Sequence, residues 1–317
     1  MKNVAIIGAG QLGSRHLQGL KLSKYEMNIW VMDSNPESLE IAEQRYNQVQ
    51  DINKKDVHYI QNIDLLPDYL DLVIVATGSK PRALITKKLL DKSKVQNLIL
   101  EKFLFPRLSD YDEIGELLLL KNCNCWVNCP RRMFEHYYEI KKIMVPGQTT
   151  MNFEGQDWGL CCNTIHFLDI FMYLTNSKLY SVDISGLKPS IIQSKRNGYI
   201  ELLGTVKFET DKEDELQLSS LETFDKDACV RILNGQNKII IQESGDGVWT
   251  LNGEKHPFRA LYQSQLTGTL ADELFDTGTC RLTPYSQSAE YHKPFLSALI
   301  AFVNKIQGWD NDSCPIT

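Results

Sequence analysis

The chain has 317 residues, of which 43% are hydrophobic and 23% charged, and its net charge is −6. These values are typical of a globular protein with a sizeable core, and a length of about 150 residues per domain predicts two domains. The acidic balance and the short, scattered basic runs argue against a nucleic-acid or membrane-surface partner. No run approaches the ~20 apolar residues that span a bilayer, and the first residues lack the pattern of a signal peptide.

The cysteines lack the spacing of a disulfide framework. The chain has 8 Cys residues, which at this chain length predicts free thiols and a cytoplasmic location. Residues 123–129 form C-x-C-x3-C, but a fourth ligand is not evident, whereas structural zinc normally takes four. We therefore predict no metal site.

The N-terminal segment has the pattern of a dinucleotide-binding unit. A buried parallel strand is predicted over residues 4–7, and a G-x-G-x-x-G sequence then opens a helix over 14–22. The glycines permit a tight turn, close approach of the backbone to a pyrophosphate and close packing of helix on strand, while the helix N-terminus offers N–H groups to phosphates. The predicted cofactor-binding residues here are Gly8, Gly10, Gln11, Leu12 and Gly13. A glycine-rich turn without a ligand is the alternative.

An acidic residue follows the second predicted strand, over residues 28–32. Asp33 lies 20 residues beyond Gly13, where a carboxylate can accept hydrogen bonds from both ribose hydroxyls. The same carboxylate would repel a 2′-phosphate, and the next residues, from Ser34 on, supply no Arg or Lys. NAD is therefore predicted over NADP, unless an Arg from elsewhere in the chain lies nearby.

The alternation of strands and helices continues to about residue 101. A helix is predicted over 38–47, strands over 71–77 and 97–101, and a helix between these two strands. Right-handed crossovers between such units produce a doubly wound parallel sheet, the Rossmann arrangement, in which ligands bind beyond the carboxyl ends of the strands. Thr77, Glu101 and Lys102 stand at those ends, so we expect them to face the cofactor.

Four segments together resemble the glucose–fructose oxidoreductase, inositol dehydrogenase and rhizopine-catabolism (Gfo/Idh/MocA) family of NAD(P)-dependent enzymes. They are the glycine-rich turn, Val75-Ala76-Thr77-Gly78-Ser79, Glu101-Lys102-Phe103, and the stretch from Asp157-Trp158-Gly159 to His166-Phe167-Leu168-Asp169. The segment from Val127-Asn128 to Tyr137 and the closing helix up to Val303 are similar to the family as well. The resemblance spans most of the chain.

The resemblance implies a Rossmann domain over residues 1–122 and an α+β domain over residues 123–317. The second domain would carry a large open antiparallel sheet, through which a homo-oligomer (a dimer or tetramer) would form. The residues agree in outline, because strands are predicted over 199–209, 216–223, 229–233 and 238–242, with turns at Gly235, at 244–247 and at Asn252-Gly253. Consecutive short strands without helices between them indicate an antiparallel sheet.

The family's chemistry is hydride transfer between nicotinamide and a carbon of a sugar or polyol, and it suggests roles for particular residues. Lys102 would be the proton acceptor, supported by Glu101; a surface lysine is the alternative. His166, on a predicted helix over 162–174, would serve in acid–base work or bind substrate, although a single His on an apolar helix is usually a packed core residue.

Three further residues are candidates for substrate binding. Asn163 can donate and accept hydrogen bonds to sugar hydroxyls, or it can bond the backbone at its own helix N-terminus. Trp158 can stack on a sugar ring, although packing is the commoner role beside a glycine-rich turn. Arg132, with Arg131, can bind an anionic group of the substrate, but a salt bridge is the more common outcome.

The sequence departs from the family pattern at three positions. Cys162 stands where the family commonly has Asp, and a thiol does not replace a carboxylate as proton acceptor at neutral pH. Phe103 replaces a proline, which removes the expectation of a cis peptide bond after Lys102. Arg82 occupies a position where His is frequent. These departures leave open a member that has lost catalysis.

The leading hypothesis is therefore an NAD-dependent dehydrogenase that oxidises or forms a CH–OH group of a sugar, amino sugar or nucleotide-linked sugar. The variant around Cys162 resembles members associated with bacterial surface-glycan precursor synthesis. The alternative is a non-catalytic NAD-binding sensor or regulator on the same fold. A reductase for an imine or a tetrapyrrole is a third possibility, since a fold does not decide between them.

Overall fold

A computed structural model describes residues 1–243 and 246–317, and these fold into two compact units. The first comprises Met1–Phe105, Ser109–Pro130 and Leu261–Ser286, and the second comprises Pro106–Leu108, Arg131–Ala260 and Gln287–Thr317. The domain boundary between residues 122 and 123 stays a prediction. In chain order the helices and strands are β1 (Lys2–Ile7), α1 (Gln11–Leu20), β2 (Met27–Met32), α2 (Pro36–Tyr46), β3 (Lys55–Ile60), β4 (Tyr69–Val75), α3 (Ser79–Lys92), β5 (Lys94–Glu101), α4 (Leu108–Leu120), β6 (Asn124–Asn128), α5 (Glu135–Ile143), β7 (Thr149–Gln156), α6 (Leu160–Thr175), β8 (Leu179–Asp183), β9 (Leu187–Gln193), β10 (Ile200–Thr210), β11 (Glu215–Leu221), β12 (Val230–Asn234), β13 (Asn237–Gln242), β14 (Asp246–Leu251), β15 (Glu254–Arg259), α7 (Gln263–Thr277), β16 (Thr283–Pro284) and α8 (Tyr285–Gln307).

The first unit is built on a seven-stranded sheet in the order β16-β6-β5-β4-β1-β2-β3. Every neighbouring pair from β6 to β3 is parallel, and only the short β16 runs antiparallel to β6. The apolar runs of β1, β4 and β5 lie at its centre and are almost fully buried, as helix-covered parallel strands require. The predicted doubly wound parallel sheet is confirmed, and its order has the reversal point at which dinucleotides bind.

Helix α7 returns the chain to the first unit after the whole second sheet has been formed. It packs on α1, where a Cβ added at Gly268 would lie 2.6 Å from the Gly19 carbonyl oxygen, and one added at Gly19 would lie 2.7 Å from Thr267 Cβ. Both glycines are therefore required by the close approach of the two helices. The sequence pattern does not predict α7, because its glycine and threonines are weak helix formers whose role depends on a distant partner.

The second unit contains a nine-stranded sheet in the order β15-β14-β13-β12-β7-β11-β10-β8, with β9 also paired to β10. The predicted open sheet is confirmed, and it is mostly antiparallel. One pair differs from the expectation, because β7 and β11 run parallel in register from Thr150–Glu215 to Gln156–Leu221. The helix α6 follows β7 and returns the chain across the sheet, which is the connection that parallel strands need. Of the turn predicted at 244–247, residues 244 and 245 lie outside the described residues.

Among the described residues, no helix combines the length and the apolar character that crossing a bilayer requires.

Candidate active site

The glycine-rich turn joins β1 to α1 in the first unit. Gly8 has a φ of 95°, a backbone conformation that residues with a side chain rarely adopt. A Cβ added at Gly13 would lie 1.7 Å from the Gly8 carbonyl oxygen, whereas one added at Gly10 would meet nothing within 4 Å. Gly13 is therefore required by packing, while Gly10 faces open space that a ligand can enter. Gln11 and Leu12 are the first residues of α1, whose N-cap has no side-chain hydrogen bond.

The Asp33 carboxylate is fixed beside this turn by two backbone amides. Its Oδ2 accepts a hydrogen bond from the Ala9 N–H at 2.7 Å, and its Oδ1 accepts one from the Asn35 N–H at 2.9 Å. Ser34, next in the chain, is half-buried. The end of β2 thus presents an oriented carboxylate to the glycine-rich turn, as ribose binding requires.

An arginine from α2 also reaches this region. Arg45 donates hydrogen bonds to Gln11 Oε1 and Ser14 Oγ, both at 2.7 Å. The sequence analysis allowed for such an arginine as a reason to bind NADP. These two contacts engage its terminal nitrogens and tie α2 to the first turn of α1.

Thr77 lies two residues beyond β4 at the same edge of the sheet. Its Oγ1 is buried and has no hydrogen-bond partner among the described residues. A buried hydroxyl without a partner carries a free-energy cost that a ligand can remove. Together with the open space at Gly10 and the fixed Asp33 carboxylate, it shows that the edge suits a dinucleotide.

Glu101 ends β5 and belongs to a buried polar chain, which we define as Thr267, His16, Glu101, Asn128 and Gln263. Its Oε1 accepts hydrogen bonds from His16 Nε2 at 2.8 Å and Asn128 Nδ2 at 2.6 Å. His16 Nδ1 lies 3.0 Å from Thr267 Oγ1, and Asn128 Nδ2 also donates to Gln263 Oε1 at 2.9 Å. Since a carboxylate has no proton to donate, the His16 Nε2 carries the hydrogen of its bond.

The buried polar chain fixes the residue that precedes Lys102. Glu101 is only 3% exposed, so its carboxylate is oriented by protein groups from α1, β6 and α7, and the half-buried Lys102 follows it at the end of the strand. Sequence analysis identified Glu101 but none of its partners as site residues, because the partners come from helices and strands distant in the chain.

Arg82 in α3 clamps the segment after Lys102. Its guanidinium is 1% exposed, and it donates hydrogen bonds to the carbonyl oxygens of Thr77, Phe103 and Leu104. The expectation that Phe103 removes the cis peptide is wrong, since the bond between Lys102 and Phe103 is cis. Arg82 reaches this segment from a helix elsewhere in the chain. The residue type at position 103 therefore could not predict these contacts.

Helix α6 carries the candidate residues of the second unit. Cys162 and Asn163 precede His166 by four and three residues, so each lies next to His166 on the helix surface, and all three are partly exposed. Asn163 Nδ2 donates to the Trp158 carbonyl oxygen at 2.7 Å. This contact is a local hydrogen bond to the backbone, which is the alternative that the sequence offers to substrate binding by Asn163.

Trp158 belongs to an aromatic cluster in the second unit. Its ring meets Phe153 and Phe167 edge-on at centroid distances of 5.1 and 5.3 Å, and its Nε1 donates to the Ser219 carbonyl oxygen at 2.8 Å. These contacts favour packing over the stacking on a sugar that was the other interpretation.

Arg132 forms a buried ion pair. Its Nε donates to Asp169 Oδ2 at 2.9 Å, and the hydroxyl of Tyr291 donates to the other oxygen of that carboxylate. Asp169 is fully buried and Arg132 is 8% exposed. The contact favours the salt bridge over binding of a substrate anion. Arg131 forms a second ion pair, partly exposed, with Glu243, to which its Nη2 donates at 2.7 Å.

His136 lies beside that second pair. Its burial predicts how the stability of the fold changes at acidic pH. It is 4% exposed, its ring stacks on Phe258 at 3.8 Å, and burial lowers its pKa from 6.5 to about 4. The unfolded chain therefore binds a proton between these values that the folded chain does not. We expect the free energy of unfolding to fall by about 3 kcal/mol as the pH drops through this interval.

Urea unfolding followed by circular dichroism at several pH values measures this loss. A His136→Phe variant keeps an aromatic ring against Phe258 but has no titrating group, so it should lose much of the dependence between about pH 6.5 and 4. A control variant at the exposed His58, His58→Gln, should retain it. Equal pH dependence in all three proteins would contradict the buried neutral imidazole.

A Rossmann sheet with a dinucleotide-type turn is joined in one chain to a unit with a large open sheet, which is the two-unit arrangement that the sequence predicts. Residues 2–129 match the sequence profile of the oxidoreductase family with an NAD-binding Rossmann fold, GFO_IDH_MocA. This match covers the N-terminal part of the chain and confirms the predicted resemblance there. A sequence comparison with curated proteins finds no significant match.

Solved structures share the fold over nearly the whole chain. An oxidoreductase of Agrobacterium radiobacter, in complex with NAD+, L-tartaric acid and magnesium, has a TM-score of 0.70 and 14% identity, covering 95% of this chain and 96% of its own. UDP-N-acetylglucosamine 3-dehydrogenase of Acidithiobacillus ferrooxidans has a TM-score of 0.71 and 14% identity, covering 96% and 99%. The transcriptional regulator Gal80p of Kluyveromyces lactis has a TM-score of 0.70 and 11% identity, covering 96% and 92%. At these identities the likeness concerns the fold.

Proposed function

We propose that the protein is an NAD-dependent dehydrogenase acting on a CH–OH group of a sugar, amino sugar or nucleotide-linked sugar. The observation that carries the proposal is the position of Lys102. It follows a glutamate that His16 and Asn128 fix in the buried polar chain, and it stands at the sheet edge that also carries the glycine-rich turn.

Oxidation of a secondary alcohol to a ketone removes a hydride from the carbon and a proton from the hydroxyl group. NAD+, when bound, supplies the hydride acceptor. We assign the proton to Lys102 Nζ, acting as general base, with Glu101 and Arg82 holding the two flanks of its segment. His166 hydrogen-bonds the substrate or exchanges a proton with it, and Asn163 binds a substrate hydroxyl. Trp158 and Arg132 support the site through the packing and the ion pair described above.

The cofactor we propose is NAD in preference to NADP. Glycines 8, 10 and 13 leave room for the pyrophosphate, and Thr77 Oγ1 is available for a hydrogen bond. The Asp33 carboxylate, oriented by Ala9 and Asn35, would accept bonds from the ribose hydroxyls and repel a 2′-phosphate.

The substrate class rests on polar groups of the second unit and on the family. Asn163 and His166 offer both donor and acceptor atoms on one side of α6, and sugar hydroxyls require both. Among proteins of the same fold, one acts on a nucleotide-linked amino sugar, as its name states. A role in bacterial surface-glycan precursor synthesis fits this substrate class.

The test is a panel of sugars, amino sugars and nucleotide sugars incubated with the purified protein and either NAD or NADP. We expect reduction of NAD, followed by its absorbance, with one substrate class, and a lower rate with NADP. A mass-spectrometric scan of the gently denatured protein identifies any cofactor that copurifies. A higher rate with NADP would overturn the role assigned to Asp33.

The second candidate is a non-catalytic NAD-binding regulator. Cys162 supports it, since its thiol stands where the family commonly has a carboxylate, and the fold is also that of a transcriptional regulator. Tight binding of NAD without turnover across the whole panel would favour this candidate over the dehydrogenase.

We also propose that the chain forms a homo-oligomer through its nine-stranded sheet, in the cytoplasm. Large apolar side chains are exposed on two of its strands, Leu233 on β12 at 51% and Tyr180 on β8 at 77%. Light scattering coupled to gel filtration measures the mass in solution, and a monomer at all concentrations would contradict the proposal.

A further inference from the structure

The first turn of α6 is held by a carboxylate from another element. Glu201, in β10, accepts a hydrogen bond from the Cys161 N–H at its Oε2, 2.7 Å away, and one from the Cys162 N–H at its Oε1, 3.2 Å away. The N-cap of this helix is Gly159, which has no side chain to perform that task. A carboxylate at a helix N-terminus satisfies the free N–H groups and interacts favourably with the helix dipole.

Three polar side chains gather around Gly159. A Cβ added at this glycine, which has a φ of 77°, would lie 3.0 Å from Cys162 Sγ, 3.2 Å from Asn163 Nδ2 and 3.4 Å from Glu201 Oε1. Cys162 and Asn163 precede His166 by four and three residues, so the carboxylate lies at the start of the helix side that carries His166.

The surroundings of Glu201 are unusual for a capping carboxylate. Burial raises its pKa, and the hydrogen bonds from the thiols and N–H groups of Cys161 and Cys162 offset this only in part, so that the pKa lies above its ordinary value. Burial and the nearby Glu201 carboxylate together raise the pKa of Cys314, near the C-terminus, to about 12. A surface cap would give the same helix bonds without this desolvation. The chain therefore keeps a buried carboxylate against a thiol that cannot itself serve as a proton acceptor.

We propose that Glu201 is a positioning residue for the reaction: its carboxylate fixes the first turn of α6 and thereby orients Asn163 and His166 toward the substrate. This inference rests on the proposed function. Residue 162 has a thiol where the family commonly has a carboxylate. In this chain a carboxylate from β10, that of Glu201, contacts the same turn of the helix instead.

A Glu201→Gln variant tests the proposal, because an amide of the same shape has no charge and only one acceptor oxygen. We expect kcat/KM to fall by about 10- to 100-fold, with kcat lowered and the sugar KM raised, while the Kd for NAD stays within about twofold. Glu201→Asp, which keeps the charge, should recover part of the rate. Hydrogen exchange followed by mass spectrometry should show faster exchange of the amides of residues 160–166 in the Gln variant.

Asp214 provides a matched control within the same unit. It is a fully buried carboxylate that accepts hydrogen bonds from the Thr149 N–H at 2.9 Å and the Ser177 hydroxyl at 2.8 Å, and it does not contact the first turn of α6. Asp214→Asn should lower the free energy of unfolding but leave kcat/KM within about twofold.

The outcomes separate this inference from the proposed function. A Gln variant with unchanged kcat/KM, or an Asp variant that recovers no activity beyond that of the Gln variant, would overturn the positioning role. If the wild-type chain turns over no substrate, the proposed function fails, and hydrogen exchange alone then decides: unchanged protection of residues 160–166 in the Gln variant overturns the inference, and faster exchange supports it. If the Gln variant does not fold, the Asp variant is compared with wild type: a lower kcat/KM at unchanged Kd for NAD, with faster exchange of residues 160–166, supports the inference, and unchanged kcat/KM and exchange overturn it.

Discussion

Replacement of Lys102 by Met is expected to lower kcat/KM by about 10²- to 10⁴-fold, the usual contribution of a positioned general base. Met has a similar length but cannot exchange a proton. Binding of NAD should change little, since the cofactor contacts that we assign lie in the glycine-rich turn, Asp33 and Thr77. Steady-state rates at saturating NAD, with a separate NAD titration followed by fluorescence, give both quantities.

Lys94 offers a matched control on the same strand. It is the first residue of β5, at the opposite end from Lys102, and it is exposed. Lys94→Met should keep the wild-type rate. If Lys102→Met also keeps it, the assignment of Lys102 as proton acceptor is wrong, although the match of residues 2–129 to the oxidoreductase family would stand.

Replacement of Gly13 by Ala is expected to damage both stability and cofactor binding. The new methyl group would lie 1.7 Å from the Gly8 carbonyl oxygen, so the turn or α1 must shift. The free energy of unfolding should fall by about 1–3 kcal/mol or more, and the affinity for NAD should fall by at least about 100-fold. Urea unfolding without cofactor and calorimetric titration with NAD measure the two effects.

Gly10→Ala separates packing from binding. Gly10 has a φ of −63° and no atom within 4 Å of an added Cβ, so this variant should fold with a stability within about 0.5 kcal/mol of wild type. Its affinity for NAD should still fall, because the methyl group occupies the space that we assign to the pyrophosphate. Normal affinity in Gly10→Ala would place the pyrophosphate elsewhere.

Local pattern was sufficient for the dinucleotide turn. The apolar strand, the spaced glycines and Asp33 lie within about one βαβ unit, and each acts on a near neighbour in the chain. The structure accordingly places Asp33 against Ala9, as the spacing implies. The same holds for the helix that carries His166, whose apolar residues are close in sequence.

Contacts between distant segments provided the partners of polar side chains whose roles the local sequence pattern left open. Arg132 was a candidate for a substrate anion until Asp169 and Tyr291 provided its partners. Trp158 and Asn163 pose the same choice between a ligand and a protein partner, and the structure gives each a partner within the protein. A buried polar side chain forms a hydrogen bond with whichever partner the fold brings near it, and a single sequence does not identify that partner.

The sequence by itself determined the Rossmann sheet, the family resemblance of the N-terminal part and the sheet edge to which we assign the cofactor, because hydrophobic period and glycine spacing act over a few residues. Only the tertiary structure placed α7 in the first unit, built the buried polar chain around Glu101 and brought Glu201 to the start of α6. The contacts around Glu101 and Glu201 join residues separated by 27 to 251 positions. Their physical reason is the need to pair buried polar groups once the two sheets have formed, and that need arises only in the folded chain.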